Sequence, residues 1–151
     1  MPKDAFSATS ACNYATVRRA ARKLGQFYDG IVGPSGLKAT QQGLLYQIHA
    51  SGEPTMGDIA SAMIMDLSAL GHTLKPLIRD GYVETLADSQ DRRIRRVRLT
   101  KAGEKKLAEA MKLWKVAQQR LEDHIGAEKA ERLRSALDEI AKLDLDEPIA
   151  S

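Results

Sequence analysis

Apolar residues recur at helical spacing from near the start of the chain. Tyr14, Val17, Ala21, Leu24, Phe27 or Tyr28 and Ile31 share one face, with Arg18, Arg19, Arg22 and Lys23 between them, and Gly30, Gly33, Pro34 and Gly36 close the stretch. Thr40 is placed to cap a second helix, whose apolar face is Leu44, Leu45 and Ile48 before Ser51-Gly52-Glu53-Pro54 breaks it. Thr55 opens a short third helix, with Asp58 three residues later at its positive end and Ile59 and Met63 one turn apart for the core. Asp66 caps a fourth helix with a buried stripe of Leu70, Leu74, Leu77 and Ile78, ended by Asp80-Gly81. Its opposite face is Ser68, Ala69, Gly71, His72, Lys75 and Arg79, small and polar near the start, which suits close approach to a groove. Pro76 forfeits a backbone donor, at ~3 kcal/mol in a helix interior, and so predicts a kink or a shortened helix.

After Gly81 the period changes. Tyr82, Val83, Thr85 and Leu86 read as a strand, Asp88-Ser89-Gln90-Asp91 as a polar turn, and Arg96, Val97, Arg98 and Leu99 as a second strand, giving a basic hairpin. Thr100 followed by Glu104 outlines a capping box that opens a long helix, with Leu107, Met111, Trp114, Leu121 and Ile125 on one face. Gly126 stops it, and a last helix carries Leu133, Leu137, Ile140 and Leu143. The fold class is mainly α (α+β).

Charge sharpens this picture. The net charge is only +3, but residues 66–106 hold ten Lys/Arg against six Asp/Glu, whereas residues 107–151 hold seven against ten. Five of the seven residues from Arg92 to Arg98 are arginine, with no acid among them, which suggests an anionic partner. Hydrophobic residues make up 43% of the 151, enough for a packed core. Cys12 is the one cysteine, so no disulfide can form within a chain, as in a reducing compartment. Met1 to Ala11 carry no apolar leader core and no stretch has the length of a membrane span, so a cytoplasmic location at the nucleoid is expected, with no membrane partner.

Helix, helix, short helix, capped helix, basic hairpin, long helix, helix is the order of a winged helix-turn-helix with N- and C-terminal dimerisation helices. The chain resembles the MarR (multiple antibiotic resistance regulator) family over essentially its whole length. The resemblance rests on Asp66-Leu67-Ser68-Ala69-Leu70, on Leu74-Lys75-Pro76-Leu77-Ile78-Arg79-Asp80-Gly81-Tyr82-Val83, and on Asp91-Arg92-Arg93 leading into Val97-Arg98-Leu99-Thr100-Lys101-Ala102-Gly103. The last is the most specific, an Asp-x-Arg wing motif followed at this interval by Leu-Thr-x-x-Gly. The resemblance implies an N-terminal dimerisation and effector helix over 1–36, a winged DNA-binding domain over 37–100 and C-terminal dimerisation helices over 101–151. It implies a repressor that binds double-stranded DNA as a homodimer on an inverted repeat, with no cofactor. Ser68, Ala69, His72 and Lys75 would read the major groove, and Arg92, Arg93 and Arg95 the minor groove beside it. Asp66 matches a family aspartate that pairs with the wing arginine, here Arg93, so Asp66 and Asp91 are the expected wing anchors.

The resemblance also implies a small aromatic acid or phenolic effector between the dimerisation helices and the winged domain. Candidates are Tyr14, Arg18, Tyr28, Gln42, Tyr46 and Trp114, the arginine holding a carboxylate and the rings stacking. Two other readings stand beside this one. Cys12 could sense oxidants, as one family branch does through an early cysteine, although Arg22 and Tyr28 align so that Tyr14 takes the sensing position and Gln42 replaces that branch's activating tyrosine. A winged helix used only as a protein interaction module would carry a neutral or acidic wing, unlike this one. An enzyme is not expected: His49, His72 and His124 form no zinc motif, Gly33-Pro34-Ser35-Gly36 is no nucleophile elbow, and no phosphate loop is present.

Overall fold

The computed structural model describes residues 11–146. Helix α1 (Asn13–Val32) runs into a single 3₁₀ turn (Gly33–Ser35) that holds Pro34 as its second residue and ends at Gly36, whose φ of 85° is left-handed. Ser35, though buried, is satisfied: its hydroxyl donates to the Val32 carbonyl and accepts from the Leu37 amide. Helix α2 (Ala39–Ser51) starts ahead of the expected cap, with Thr40 already inside it. The reason is non-local. The Asp29 carboxylate of α1 accepts from the Ala39 amide at 2.8 Å, and the Gln41 side chain accepts from the Lys38 amide at 2.9 Å, so the first donors are satisfied without a capping hydroxyl.

Helix α3 (Met56–Met63) starts at Thr55 as expected, and Asp58, expected only as an acid at the positive helix end, completes a reciprocal cap, each side chain accepting from the other's amide at 3.0 Å. Its far end closes on Ile64, which adopts φ 52°, ψ 49° while the Met65 amide donates back to the Ala60 carbonyl. Helix α4 (Leu67–Arg79) is capped by Asp66, which accepts from the Ala69 amide at 2.7 Å. Leu70, Leu74 and Leu77 are buried as expected, but Ile78 is exposed, because one helical step of about 100° carries it past the stripe. Pro76 does not shorten the helix. It lies in the penultimate turn, so only the His72 carbonyl loses its amide partner, while Pro76's own carbonyl still receives the Asp80 amide.

Strands β1 (Val83–Ala87) and β2 (Arg95–Leu99) pair antiparallel from Val83 opposite Leu99 to Ala87 opposite Arg95. A bridge between Thr55 and Arg96, with the Val97 amide donating to the Pro54 carbonyl, ties the hairpin to the start of α3. Val83 and Val97 point into a core shared by Val32, Leu44, Leu45, Ile48, Ile59, the α4 leucines and Leu107.

Helix α5 (Lys101–Ile125) leads through Gly126 into α6 (Ala127–Ala141). Thr100 caps α5 by accepting from the Gly103 amide, and the same hydroxyl donates to the Gly81 carbonyl. Glu104 does not complete a capping box. It falls one residue beyond the position that could reach back, and its carboxylate pairs instead with His49 of α2. On α5, Leu107, Ala110 and Ala117 are buried, with Met111 and Trp114 packed against the core. On α6 only Ala130 is buried, and Leu133, Leu137 and Ile140 are exposed.

Two substitutions test this architecture. A β-carbon at Gly103 would overlap the Tyr82 carbonyl oxygen, so Gly103→Ala is expected to destabilise the chain by about 3 kcal/mol in urea unfolding. Ile64 holds a left-handed backbone that costs a β-branched residue about 1–2 kcal/mol, and Ile64→Gly is expected to gain about 1 kcal/mol, seen as a higher Tm.

Candidate nucleic-acid interface

The face of α4 opposite its buried leucines presents Ser68, His72, Lys75 and Arg79 as one exposed stripe, spaced four, three and four residues apart, with Ala69 exposed beside it. His72, Lys75, Pro76 and Arg79 line a shallow depression of about 380 Å³. Arg79 was not among the site residues expected from sequence, although its spacing from Lys75 already placed it on this stripe. Its guanidinium pairs with Asp80, next along the chain, at 3.1 Å.

The wing arginines divide into two groups. Arg96 binds the Asp88 carboxylate and donates to the Glu53 carbonyl at 2.7 Å. Asp88 also accepts the Gln90 and Asp91 amides, and Arg96 first, then these amides, hold its carboxyl below the usual range. Arg98 reaches Glu84 at 2.6 Å and Glu53 at 3.1 Å. These two arginines therefore build the hairpin, a role the sequence did not separate from that of their neighbours. At the tip, the side chains of Arg92 and Arg95 are exposed and make no hydrogen bond or ion pair with any described residue.

Arg93 takes an intermediate place and corrects one expectation. It does not pair with Asp66. The Asp66 carboxylate is used at the start of α4, and Arg93 instead forms a two-point contact with Asp91, at 3.1 Å from each carboxylate oxygen. The geometric reason is proximity: Asp91 lies two residues away and also accepts the Arg93 amide. Arg93 holds the Asp91 carboxyl below its ordinary range.

Of the six expected effector residues the structure gathers three. Gln42, Tyr46 and Trp114, with Gly43 and Met111, line a pocket of about 280 Å³ between α2 and α5. Gln42 is only 5% exposed, and its amide donates to the Met111 sulfur at 2.8 Å, a weak acceptor. Tyr14 and Arg18 lie elsewhere, on the exposed first half of α1, where Arg18 donates to the Tyr14 hydroxyl and stands over its ring. Tyr28 braces helices: its hydroxyl donates to Gln118 of α5, which donates to Glu122, which accepts from Arg134 of α6. Burial first, then Glu122, raises the Tyr28 hydroxyl's pKa against the lowering effect of Arg134. Cys12 is exposed at the N-cap of α1 and makes no side-chain capping bond. Among the described residues no helix is long and apolar enough to cross a membrane.

A sequence profile of the MarR family matches residues 37–94, from α2 through the wing. No curated protein matches the chain by sequence. Among solved structures, the chain is similar to MOSR, a transcriptional regulator of M. tuberculosis in complex with DNA, at 34% identity and a TM-score of 0.75, covering 87% of this chain and 99% of that one. It is similar to CouR, a transcriptional repressor bound to a 23-mer DNA duplex, at 25% identity and a TM-score of 0.81, over 88% and 94% of the two chains. A cysteine-to-serine variant of E. coli MarR complexed with operator DNA shares the fold, with a TM-score of 0.76 at 23% identity over 83% and 90%. With the winged fold, the family profile and the 34% relative in agreement, the chain belongs to the MarR family of transcription regulators.

Proposed function

We propose that two copies of this chain bind an inverted-repeat operator in double-stranded DNA and repress transcription until a small phenolic ligand releases them. The observation that carries the reading is the pairing of an exposed, cationic α4 stripe with a wing whose base is internally neutralised while its tip leaves Arg92 and Arg95 unpaired. Unpaired guanidiniums at the end of a narrow hairpin suit the negative minor groove, and the α4 stripe suits the major groove. The resemblance to DNA complexes of MOSR and CouR supports the same partner. Dimerisation is supported by the uncovered apolar residues Leu133, Leu137, Ile140 and Leu143 along and after α6, a stripe that a second copy would bury. The α4 helices would then sit about one DNA turn apart, ~34 Å.

The α2–α5 pocket refines the ligand. No cationic side chain lines it, and Arg18, expected to hold a carboxylate, is on another surface. An anion there would lose hydration without a counter-charge, whereas a neutral phenol could stack on Trp114 and exchange hydrogen bonds with Gln42 and Tyr46.

Arg92→Ala combined with Arg95→Ala is expected to weaken operator binding without changing Tm. The slope of log affinity against log salt should shrink by about 0.9 for each phosphate that the variant no longer neutralises. An unchanged slope would remove the wing from the interface. Arg96→Ala, by contrast, should lower both affinity and Tm, since it opens the hairpin. Trp114 is the only tryptophan in the chain, so its fluorescence reports the pocket directly. Neutral phenols are expected to quench it and release operator DNA, benzoates to do neither, and Gln42→Leu to weaken the response; quenching by benzoates alone would reverse the assignment.

A further inference from the structure

Ahead of its cationic stripe, α4 carries apolar surface that the core does not use. Leu70, Leu74 and Leu77 are all buried, yet Leu67, the first residue of the same helix, is 59% exposed. Ile64, in the turn just before it, is 70% exposed and keeps a left-handed backbone that glycine would adopt without strain. Ala69 is exposed beside them. Ile64 and Leu67 line one wide, open surface with Gly57, Ala60 and Ser61 of α3 and with Met65 and Asp66, and Leu67 adjoins Ser68, the first residue of the α4 stripe.

Two features narrow what can sit there. Side chains in a helix tilt toward its N-terminus, so those of the first turn project past the helix end, toward whatever the end approaches. A helix start favours an anion, but the Asp66 carboxylate already takes that place by accepting the Ala69 amide, and the first basic side chain along α4 is Lys75, so a second anion such as a phosphate is disfavoured at this edge. What remains on a duplex is the base edge, and in the major groove the apolar group offered there is the thymine 5-methyl.

We propose that Leu67, supported by Ile64, reads thymine methyl groups beneath the start of α4, so that each operator half-site prefers an A·T pair at that position. This rests on the DNA-binding reading above. Ser68 and Ala69 supply polar and close contacts next to it, and His72, Lys75 and Arg79 continue the stripe further along the groove. The strained Ile64 is then retained for its side chain, at a cost to stability.

The test uses the full-length protein and an operator selected from random duplexes. Each thymine in turn is replaced by deoxyuridine, which removes the methyl and leaves every hydrogen-bonding group in place, and the Kd is measured by fluorescence anisotropy. The expected result is one or two thymines per half-site whose demethylation weakens binding about fourfold, the worth of one buried methyl group. In Leu67→Ala the same demethylation should have no effect, because the side chain that met the methyl is absent. Ile64→Gly should lose affinity on the thymine operator while gaining thermal stability, a combination that a purely structural residue would not give. Indifference of the native protein to every deoxyuridine, with operator binding otherwise tight, would overturn the proposal. So would a demethylation penalty that persists in full in Leu67→Ala. If Leu67→Ala binds every duplex as the native protein does, the patch serves another partner and the proposal also falls. Failure to select any operator would instead overturn the DNA-binding reading on which it stands.

Discussion

The close approach of two backbones at Gly103 is the constraint on which the rest of the structure depends. Gly103, in the first turn of α5, lies against the Tyr82 carbonyl, so closely that no side chain fits between them. That carbonyl receives the Thr100 amide, while the Thr100 hydroxyl joins Gly81 to Gly103. Three elements therefore meet within one turn: the end of α4, the root of both wing strands and the start of α5. The left-handed Gly81 lets the chain leave α4 directly into β1, so the hairpin cannot be displaced without moving the helix beside it. A Thr-x-x-Gly sequence at this place is the local chemistry that holds reader helix, wing and long helix in one arrangement.

Charge in the wing follows the same logic of local constraint. Five arginines in seven residues would repel one another if all were free, and at the spacing of neighbouring rungs such repulsion opposes the hairpin. Asp88, Glu84 and Glu53 answer Arg96 and Arg98 near the strands' inner half, where Val97 is buried and geometry must be fixed. Asp91 turns Arg93 back along the loop. Pairing fades toward the tip, and Arg92 and Arg95 stand exposed with no ion-pair partner among the described residues. Each of these pairs is partly exposed and so contributes modestly to stability. Their main effect is to decide which charges point outward.

How much of this was legible in the sequence depended on distance along the chain. The caps Thr55, Asp66 and Thr100 could be read because a capping side chain bonds an amide two or three residues on, and so could the buried faces of α2 and α4. The cap that Asp29 places on Ala39, and the pairing of His49 with Glu104, join residues far apart, and no local pattern announces them. Arg96 and Arg98 look identical to Arg92 and Arg95 in sequence, since only the folded hairpin brings Glu53 and Asp88 within reach. The pocket was half legible for the same reason. Gln42, Tyr46 and Trp114 fall on the facing sides of α2 and α5, whereas helical spacing alone could not say that Tyr14 and Arg18 lie on a part of α1 that the core never reaches.

The placement of that pocket bears on how a ligand could act on the DNA-facing elements. Helix α2 is held at its start by Asp29 from α1 and near its end by the His49–Glu104 contact to α5, with Gln42 and Tyr46 between the two. The pins are unequal. The first closes a helix terminus whose amide would otherwise lack a partner. The second is a half-exposed pair worth about 1 kcal/mol or less, and ionic only when His49 is protonated. A ligand wedged against Trp114 would therefore spread α2 and α5 at the weakly held end, pivoting on the firm one. Glu104 is the residue after Gly103, so motion at that end is delivered to the Tyr82 and Thr100 contacts, the root of the wing. The path is short and made of backbone contacts that allow little slack, which is why a ligand of modest size in a pocket of about 280 Å³ could shift the reading face.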